Sequence, residues 1–224
     1  MVVVAHPDDA EFGSSGTVAK WTRAGAAITY VVCTDSSKGS NHPTYDPATL
    51  IHTRQEEQRE AAAVLGVRTV EFLGYPDGEL RADEQLVRDL VRLMRRDRPG
   101  VVIAQSPART LRLTLYISHP DHLAAGEATI RAVYPHARTR PSFPDLVAEG
   151  LDPHDVSEVW VVGTAEPDTW IDISDTIDVK IAALRAHRSQ LGDWDAETFV
   201  RRWTRANGRG RGYAHAEVFK TIRL

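Results

Sequence analysis

Short β-branched runs alternate with helix-forming stretches through the first half of the chain, and this alternation sets the fold. Residues 2–5, 28–33, 69–72 and 101–104 are apolar runs of strand length. Between them, residues 16–23, 49–65 and 84–96 read as helices. The first two stop at Gly25 and Gly66, and Pro99 and Gly100 follow the third. Leu86, Leu90, Leu93 and Met94 share one face of that third helix. Strands alternating with helices predict an α/β fold with right-handed crossovers. We expect one Rossmann-like domain over residues 1–224, with a mainly parallel sheet flanked by helices. Further on, residues 123–133 read as a helix, and 134–157 carry four prolines and look irregular. Strands are expected at 159–162 and 169–173. Ser174 is a candidate N-cap for a helix through Ser189. A short helix is expected over 196–206, and a glycine- and arginine-rich loop over 207–212.

Two of the strand ends carry chemistry. His6-Pro7-Asp8-Asp9 follows the first run, and His119-Pro120-Asp121-His122 follows the loop that leaves the fourth. Ligands of open parallel sheets bind beyond the carboxyl ends of the strands, so the two tetrads can meet. A catalytic zinc needs three protein ligands, with His nitrogen and Asp oxygen both suitable, and one open position. His6, Asp9 and His122 supply that set, which makes Zn2+ the expected cofactor. Asp8 is then left to accept a proton from water. His119 is left to stabilise an oxyanion or protonate a leaving nitrogen. Asp121 suits the role of holding an imidazole in one tautomer.

Composition narrows the function classes. The 224 residues carry a formal net charge of -4, which argues against a nucleic-acid partner. No apolar run approaches the ~20 residues of a membrane span, and no signal peptide is visible. Cys33 is the only cysteine, which suits a reducing, cytoplasmic setting.

Ala5-His6-Pro7-Asp8-Asp9-Ala10-Glu11, with Gly13 and Gly16, resembles the first motif of the LmbE-like (PIG-L) zinc-dependent N-deacetylases. His119-Pro120-Asp121-His122 resembles their second. Arg54 and Glu57 with Leu65-Gly66, the stretch from Phe72 to Gly78, Asp172-Ile173-Ser174 with Lys180, and Ala216-Glu217-Val218-Phe219 extend the likeness along the chain. The resemblance implies a zinc hydrolase that removes an acyl group, usually acetyl, from a small-molecule N-acetylated amino sugar. It implies His6, Asp9 and His122 as ligands, Asp8 as general base and His119 as oxyanion stabiliser or general acid. It also implies that Arg54 and Asp77 lie near the sugar. Relatives vary in oligomeric state, so a homo-oligomer is compatible with the reading.

Departures and bland alternatives remain. Ser15-Gly16 stands where relatives often have two glycines, and Thr34 to Gly39 differs from their Thr-x-Gly pattern. A mobile tyrosine lies two residues before the second tetrad in some relatives, whereas Tyr116 lies three before His119. Tyr116 is nevertheless a candidate substrate contact. Arg54 and Glu57 also fit a surface i, i+3 pair, and Asp77 fits an ordinary Pro-Asp-Gly turn. His187 reads as either a packing or a pocket residue, and His215 as a surface or loop one. Trp194 and Trp203 are candidates for a substrate entrance. Two other functions fit: an amidase for a larger acyl group on a thiol conjugate, and a non-catalytic nucleotide-binding module. The latter suffers from carboxylates where a pyrophosphate would sit.

Overall fold

A computed structural model describes residues 1–109, 111 and 117–224. Tyr116 therefore lies outside the described residues.

The elements follow the expected alternation: β1 (Val2–Val4), α1 (Asp9–Gly13), α2 (Ser15–Arg23), β2 (Thr29–Thr34), α3 (Pro47–Val64), β3 (Thr69–Tyr75), α4 (Glu84–Asp97), β4 (Val101–Gln105), α5 (Pro120–Arg131), α6 (Pro144–Ala148), β5 (Glu158–Val162), β6 (Thr169–Asp172), α7 (Ile177–Leu184), α8 (Arg188–Leu191), α9 (Ala196–Gly208) and β7 (Ala216–Arg223). The seven strands form one sheet in the order β3-β2-β1-β4-β5-β7-β6. The first five in that order are parallel, and β7 runs antiparallel to both β5 and β6. The strand order reverses between β1 and β4, and that is where an open α/β sheet offers a ligand crevice.

Both faces of the central strands are covered, which explains their unbroken apolar runs. Val3, Val31, Val102 and Ala104 pack towards α4 and α5 on one side. Val2, Val4, Tyr30, Val32 and Ile103 pack towards α2 and α3 on the other. Gly126 sets how closely α5 approaches the sheet. A Cβ there would lie 2.3 Å from the carbonyl oxygen of Gln105, at the carboxyl end of β4. Only glycine lets the helix that begins with the second tetrad rest on the strand beside the first.

Several boundaries differ from the sequence reading, each for a local reason. The expected helix from Ser174 to Ser189 is two helices, broken at residues 185–187. Its start is at Thr176, because the Ser174 N–H and hydroxyl both turn to Asp172 Oδ1. The irregular 134–157 stretch contains α6, and the chain leaves α5 through a kink at Tyr134, where φ −137° and ψ 120° are extended rather than helical. His215 is buried rather than on the surface, with Nδ1 2.8 Å from the Thr204 hydroxyl. Trp194, Phe199 and Trp203 form an exposed row with ring centroids 5.5 and 6.3 Å apart, and Phe12 lies 6.0 Å from Trp194.

Beneath α1, Lys180 is fully buried. Its ammonium donates to Glu217 Oε1 and to the carbonyls of Glu11 and Phe12, each at 2.7 Å. The Glu217 carboxylate also receives the Gly16 and Thr17 N–H groups at 2.9 and 2.7 Å, in the first turn of α2. A negative charge there complements the helix dipole. Removing one partner of such a pair strands the other charge in the interior. Lys180→Ala is therefore expected to destabilise the fold by about 3–5 kcal/mol, measured as a lower midpoint in urea unfolding.

Candidate active site

The turn leaving β1 is shaped by its own side chains. The His6 N–H donates to Asp9 Oδ2 at 2.8 Å. Asp8 is left-handed, at φ 85° and ψ −27°, a conformation that costs a non-glycine residue about 1–3 kcal/mol. The end of β1 is pinned on both sides. Ala5 N–H donates to Gln105 Oε1 at 2.9 Å, and the Thr34 hydroxyl donates to Ala5 O at 2.8 Å.

The second tetrad opens α5. His119 is its N-cap, accepting the Asp121 N–H on Nδ1 at 3.2 Å, and Pro120 occupies the first turn, where no N–H is needed. A neutral His119 therefore carries its proton on Nε2. Its ring lies edge-on to His6 at 4.8 Å and its side chain is 42% exposed.

The two tetrads meet. His122 Nε2 lies 3.2 Å from His6 Nδ1 and 3.1 Å from Asp9 Oδ1, and His6 Nδ1 lies 3.5 Å from Asp9 Oδ2. Tetrahedral ligands with bonds of about 2.0–2.2 Å stand roughly 3.3–3.6 Å apart, and these three groups, with a different Asp9 oxygen near each imidazole, come close to that spacing. The imidazoles of His6, His119 and His122 also bring one nitrogen each within 4.8 Å of one another.

Behind this face, His6 Nε2 donates to Asp77 Oδ1 at 3.1 Å and Asp121 Oδ2 at 3.2 Å. The Nε2 proton is thereby fixed, so Nδ1 is the nitrogen that would give up its proton and offer a lone pair to a cation in the triangle. Asp121, with no exposure, also accepts the N–H groups of Gly78 and Leu80 at 2.7 and 3.2 Å. Asp77 accepts the Lys38 N–H at 3.0 Å. The loop after β3 is thus tied to the first turn of α5, and Asp77 is turned to His6.

The charges favour a cation. Burial disfavours a charged His6, yet Asp121, Asp77 and Asp9 overcome it and push the ring up to about 11. Burial likewise opposes ionisation of Asp9, but His122 and His6 hold it well below the carboxylate range. Asp77 is brought down to about 2, against burial, chiefly by its bond to His6. Asp8 goes the other way. Burial and the adjacent Asp9 push it up to about 7, and Arg54 opposes them. Two neighbouring carboxyls thus stand far apart in acidity, as acid–base work requires.

Arg54 is buried on α3. Its Nη2 donates to Pro7 O at 3.0 Å and approaches Asp8 Oδ2 at 3.4 Å. Glu57, also buried, accepts the N–H and hydroxyl of Ser189 at 2.8 and 2.6 Å, so the two are not a surface pair. His187 is buried against Glu11, with Nε2 3.1 Å from Oε2. The sequence reading passed over Gln58, whose Oε1 accepts the Asp8 N–H at 3.1 Å. Its spacing was a usable signal, since residue 58 lies four past Arg54 on the same helical face. Gln105 had no signal beyond its place at the end of a strand.

Residues 1–133 match the PIG-L family, described as GlcNAc-PI de-N-acetylase. The chain belongs to the PIG-L family. Among curated relatives, it is 33% identical over 225 residues to a diacetylchitobiose deacetylase of Thermococcus kodakarensis, covering 99% of this chain and 82% of that one. It is 30% identical over 197 residues to a probable N-acetyl-alpha-D-glucosaminyl L-malate deacetylase 2 of Bacillus cereus, covering 85% and 82%. Among solved structures, it superposes on N,N'-diacetylchitobiose deacetylase from Pyrococcus horikoshii with a TM-score of 0.92 and 30% identity, over 99% of this chain and 82% of that one. Among the described residues, no helix is long and apolar enough to cross a membrane.

If Asp77 holds the imidazole proton of a metal-binding His6, Asp77→Ala will weaken divalent-metal affinity about 10- to 100-fold. Competition against a chromophoric chelator measures this, and an unchanged circular dichroism spectrum will show that the fold persists.

Proposed function

We propose that this protein is a zinc-dependent hydrolase that removes the acetyl group from an N-acetylglucosamine-type small molecule. The observation that carries the reading is the triangle of His6 Nδ1, Asp9 and His122 Nε2, with the His119 ring 4.8 Å from His6 and Asp8 next to Asp9 in the chain. These three residues would hold the metal. His119 is left out of the set because its Nδ1 caps α5 and its Nε2 carries the proton. Two imidazoles and one carboxylate, with an open fourth position, are a donor set that suits catalytic zinc. When bound, the ion supplies Lewis acidity and makes water a better nucleophile near neutral pH.

The chain's own groups account for the proton transfers. Asp8, pushed up to about 7, takes a proton from water as the oxygen attacks the acetyl carbon. A base with that acidity is matched to neutral operation. His119 points a donor, Nε2–H, at the oxyanion that develops on the acetyl oxygen. The C–N bond then breaks, the amine departs with the proton that Asp8 took up, and acetate remains. Asp77 and Asp121 act at one remove by fixing the tautomer of His6. Arg54 is assigned to Asp8 and Pro7, which it touches.

The substrate class is supported by the relatives, whose names share an N-acetylated glucosamine unit. The fuller coverage by the diacetylchitobiose deacetylases, at 99% of this chain, makes short β-linked N-acetylglucosamine saccharides the first substrates to try. Acetate release from N,N'-diacetylchitobiose is expected from the zinc-loaded protein. Asp8→Asn should lower kcat about 10²- to 10⁴-fold while zinc content, by elemental analysis, stays near one per chain. Normal turnover by that variant would remove Asp8 from the mechanism.

A further inference from the structure

Asp8 occupies a backbone conformation that its residue type disfavours, and its side chain makes no cap in α1 that would hold it there. The Asp8 carbonyl accepts the Phe12 N–H of α1 at 3.0 Å, and the Asp8 N–H is held from α3. Asp8 N–H donates to Gln58 Oε1 at 3.1 Å. The amide nitrogen of Gln58 donates to Glu11 Oε1 and Oε2, each at 3.2 Å. Glu11 Oε2 in turn lies 3.1 Å from His187 Nε2. Gln58, Glu11 and His187 have no exposure at all.

The chemistry of this chain fixes its direction. An N–H must meet an oxygen, and a carboxylate must meet donors. Gln58 satisfies both only with its oxygen towards Asp8 and its nitrogen towards Glu11. A flipped amide would set donor against donor and oxygen against oxygen. Because Glu11 belongs to α1 and Gln58 to α3, the amide also locks the turn of the first tetrad to a neighbouring helix. Arg54, one turn earlier on α3, holds the same turn through Pro7 O and Asp8 Oδ2. The N–H and the carboxylate of Asp8 are therefore gripped separately, the first by Gln58 and the second by Arg54.

We propose that Gln58 is a positioning residue for Asp8, keeping it left-handed and so fixing the direction in which its carboxylate leaves the turn. This rests on the reading of Asp8 as the general base. Gln58 does not touch substrate. It acts through the backbone of the residue that does, and the Glu11–His187 pair keeps its amide from turning over. A buried glutamine serving only as packing would stabilise the fold without any special link to Asp8.

A double-mutant cycle separates the two. Gln58→Met keeps the length of the side chain and removes its acceptor and donors. We would measure acetate release from N,N'-diacetylchitobiose, zinc content and melting temperature for the wild type, Gln58→Met, Asp8→Asn and the double variant. A base displaced by about an ångström loses about 10- to 100-fold in kcat. That loss is expected for Gln58→Met, with KM and zinc content unchanged. In the Asp8→Asn background the same change should alter the residual kcat less than about twofold, since residues acting as a unit are not additive. Losses that multiply would overturn the proposal. Full turnover by Asp8→Asn would instead overturn the base assignment on which it rests, so the two failures are distinguishable.

A second pair covers the case in which Gln58→Met does not fold. Gln58→Glu alone sets two carboxylates side by side and should lose more than about tenfold in kcat, as a lost orientation does. Adding Glu11→Gln restores a donor–acceptor pair and keeps an oxygen for the Asp8 N–H. Recovery to within about threefold of wild type is expected on the scale of a regained orientation. No recovery in a folded, zinc-loaded protein would overturn the proposal.

Discussion

The molecule depends on the way His6 is held from both ring nitrogens. Asp77 and Asp121 take the proton on Nε2, and Nδ1 faces Asp9 Oδ2 at 3.5 Å and His122 Nε2 at 3.2 Å. Those four partners come from three separate segments: the turn after β1, the loop after β3 and the first turn of α5. Asp9 is three residues from His6 and Asp121 adjoins His122, but Asp77 lies 71 residues from His6. A single imidazole thus joins parts of the chain more than a hundred residues apart, and a bound cation would complete the arrangement rather than create it. The cost of gathering so many carboxylates is electrostatic. It is offset here by backbone N–H groups from Gly78, Leu80 and Lys38 and by the imidazoles themselves.

The sheet explains why those segments can meet. Reversal of strand order between β1 and β4 leaves a gap at their carboxyl ends, bridged by the bond from Ala5 N–H to Gln105 Oε1. Gly126 lets α5 settle against the end of β4. The support below is polar as well. Lys180, Glu217, Glu11 and His187 form a buried charged layer between α1, α2 and the C-terminal elements. The last third of the chain, with its antiparallel β7, supplies Lys180, His187 and Glu217 to this layer.

Much of this was legible from residue order. The β-branched runs ending in His6 and preceding His119 gave the strands and the meeting of the tetrads, because strand length, parallel burial and the crevice rule act locally. The expectation that Asp121 faces an imidazole came from its chemistry, and Asp121 Oδ2 lies 3.2 Å from His6 Nε2. What the sequence hid is what depends on a third dimension. Pro76-Asp77-Gly78 is a turn in both readings, yet only the fold shows that the turn delivers Asp77 to His6. For Arg54 the sequence left a surface pair with Glu57 beside a place near the sugar, and only the fold shows its guanidinium at Pro7 O and Asp8. The break at residues 185–187 was invisible because its cause is distant: His187 leaves the helical path to meet Glu11, 176 residues away.

His119 carries one further consequence. The ring nitrogen that accepts the first free N–H of α5 is the same nitrogen that excludes a proton from that side of the ring. Starting the helix and choosing the tautomer are therefore one event. An asparagine at this position would begin the helix equally well and offer no imidazole to the substrate. A histidine whose helix began a residue later would offer its proton to the wrong neighbour. Folding itself sets the direction in which this ring can give a proton away.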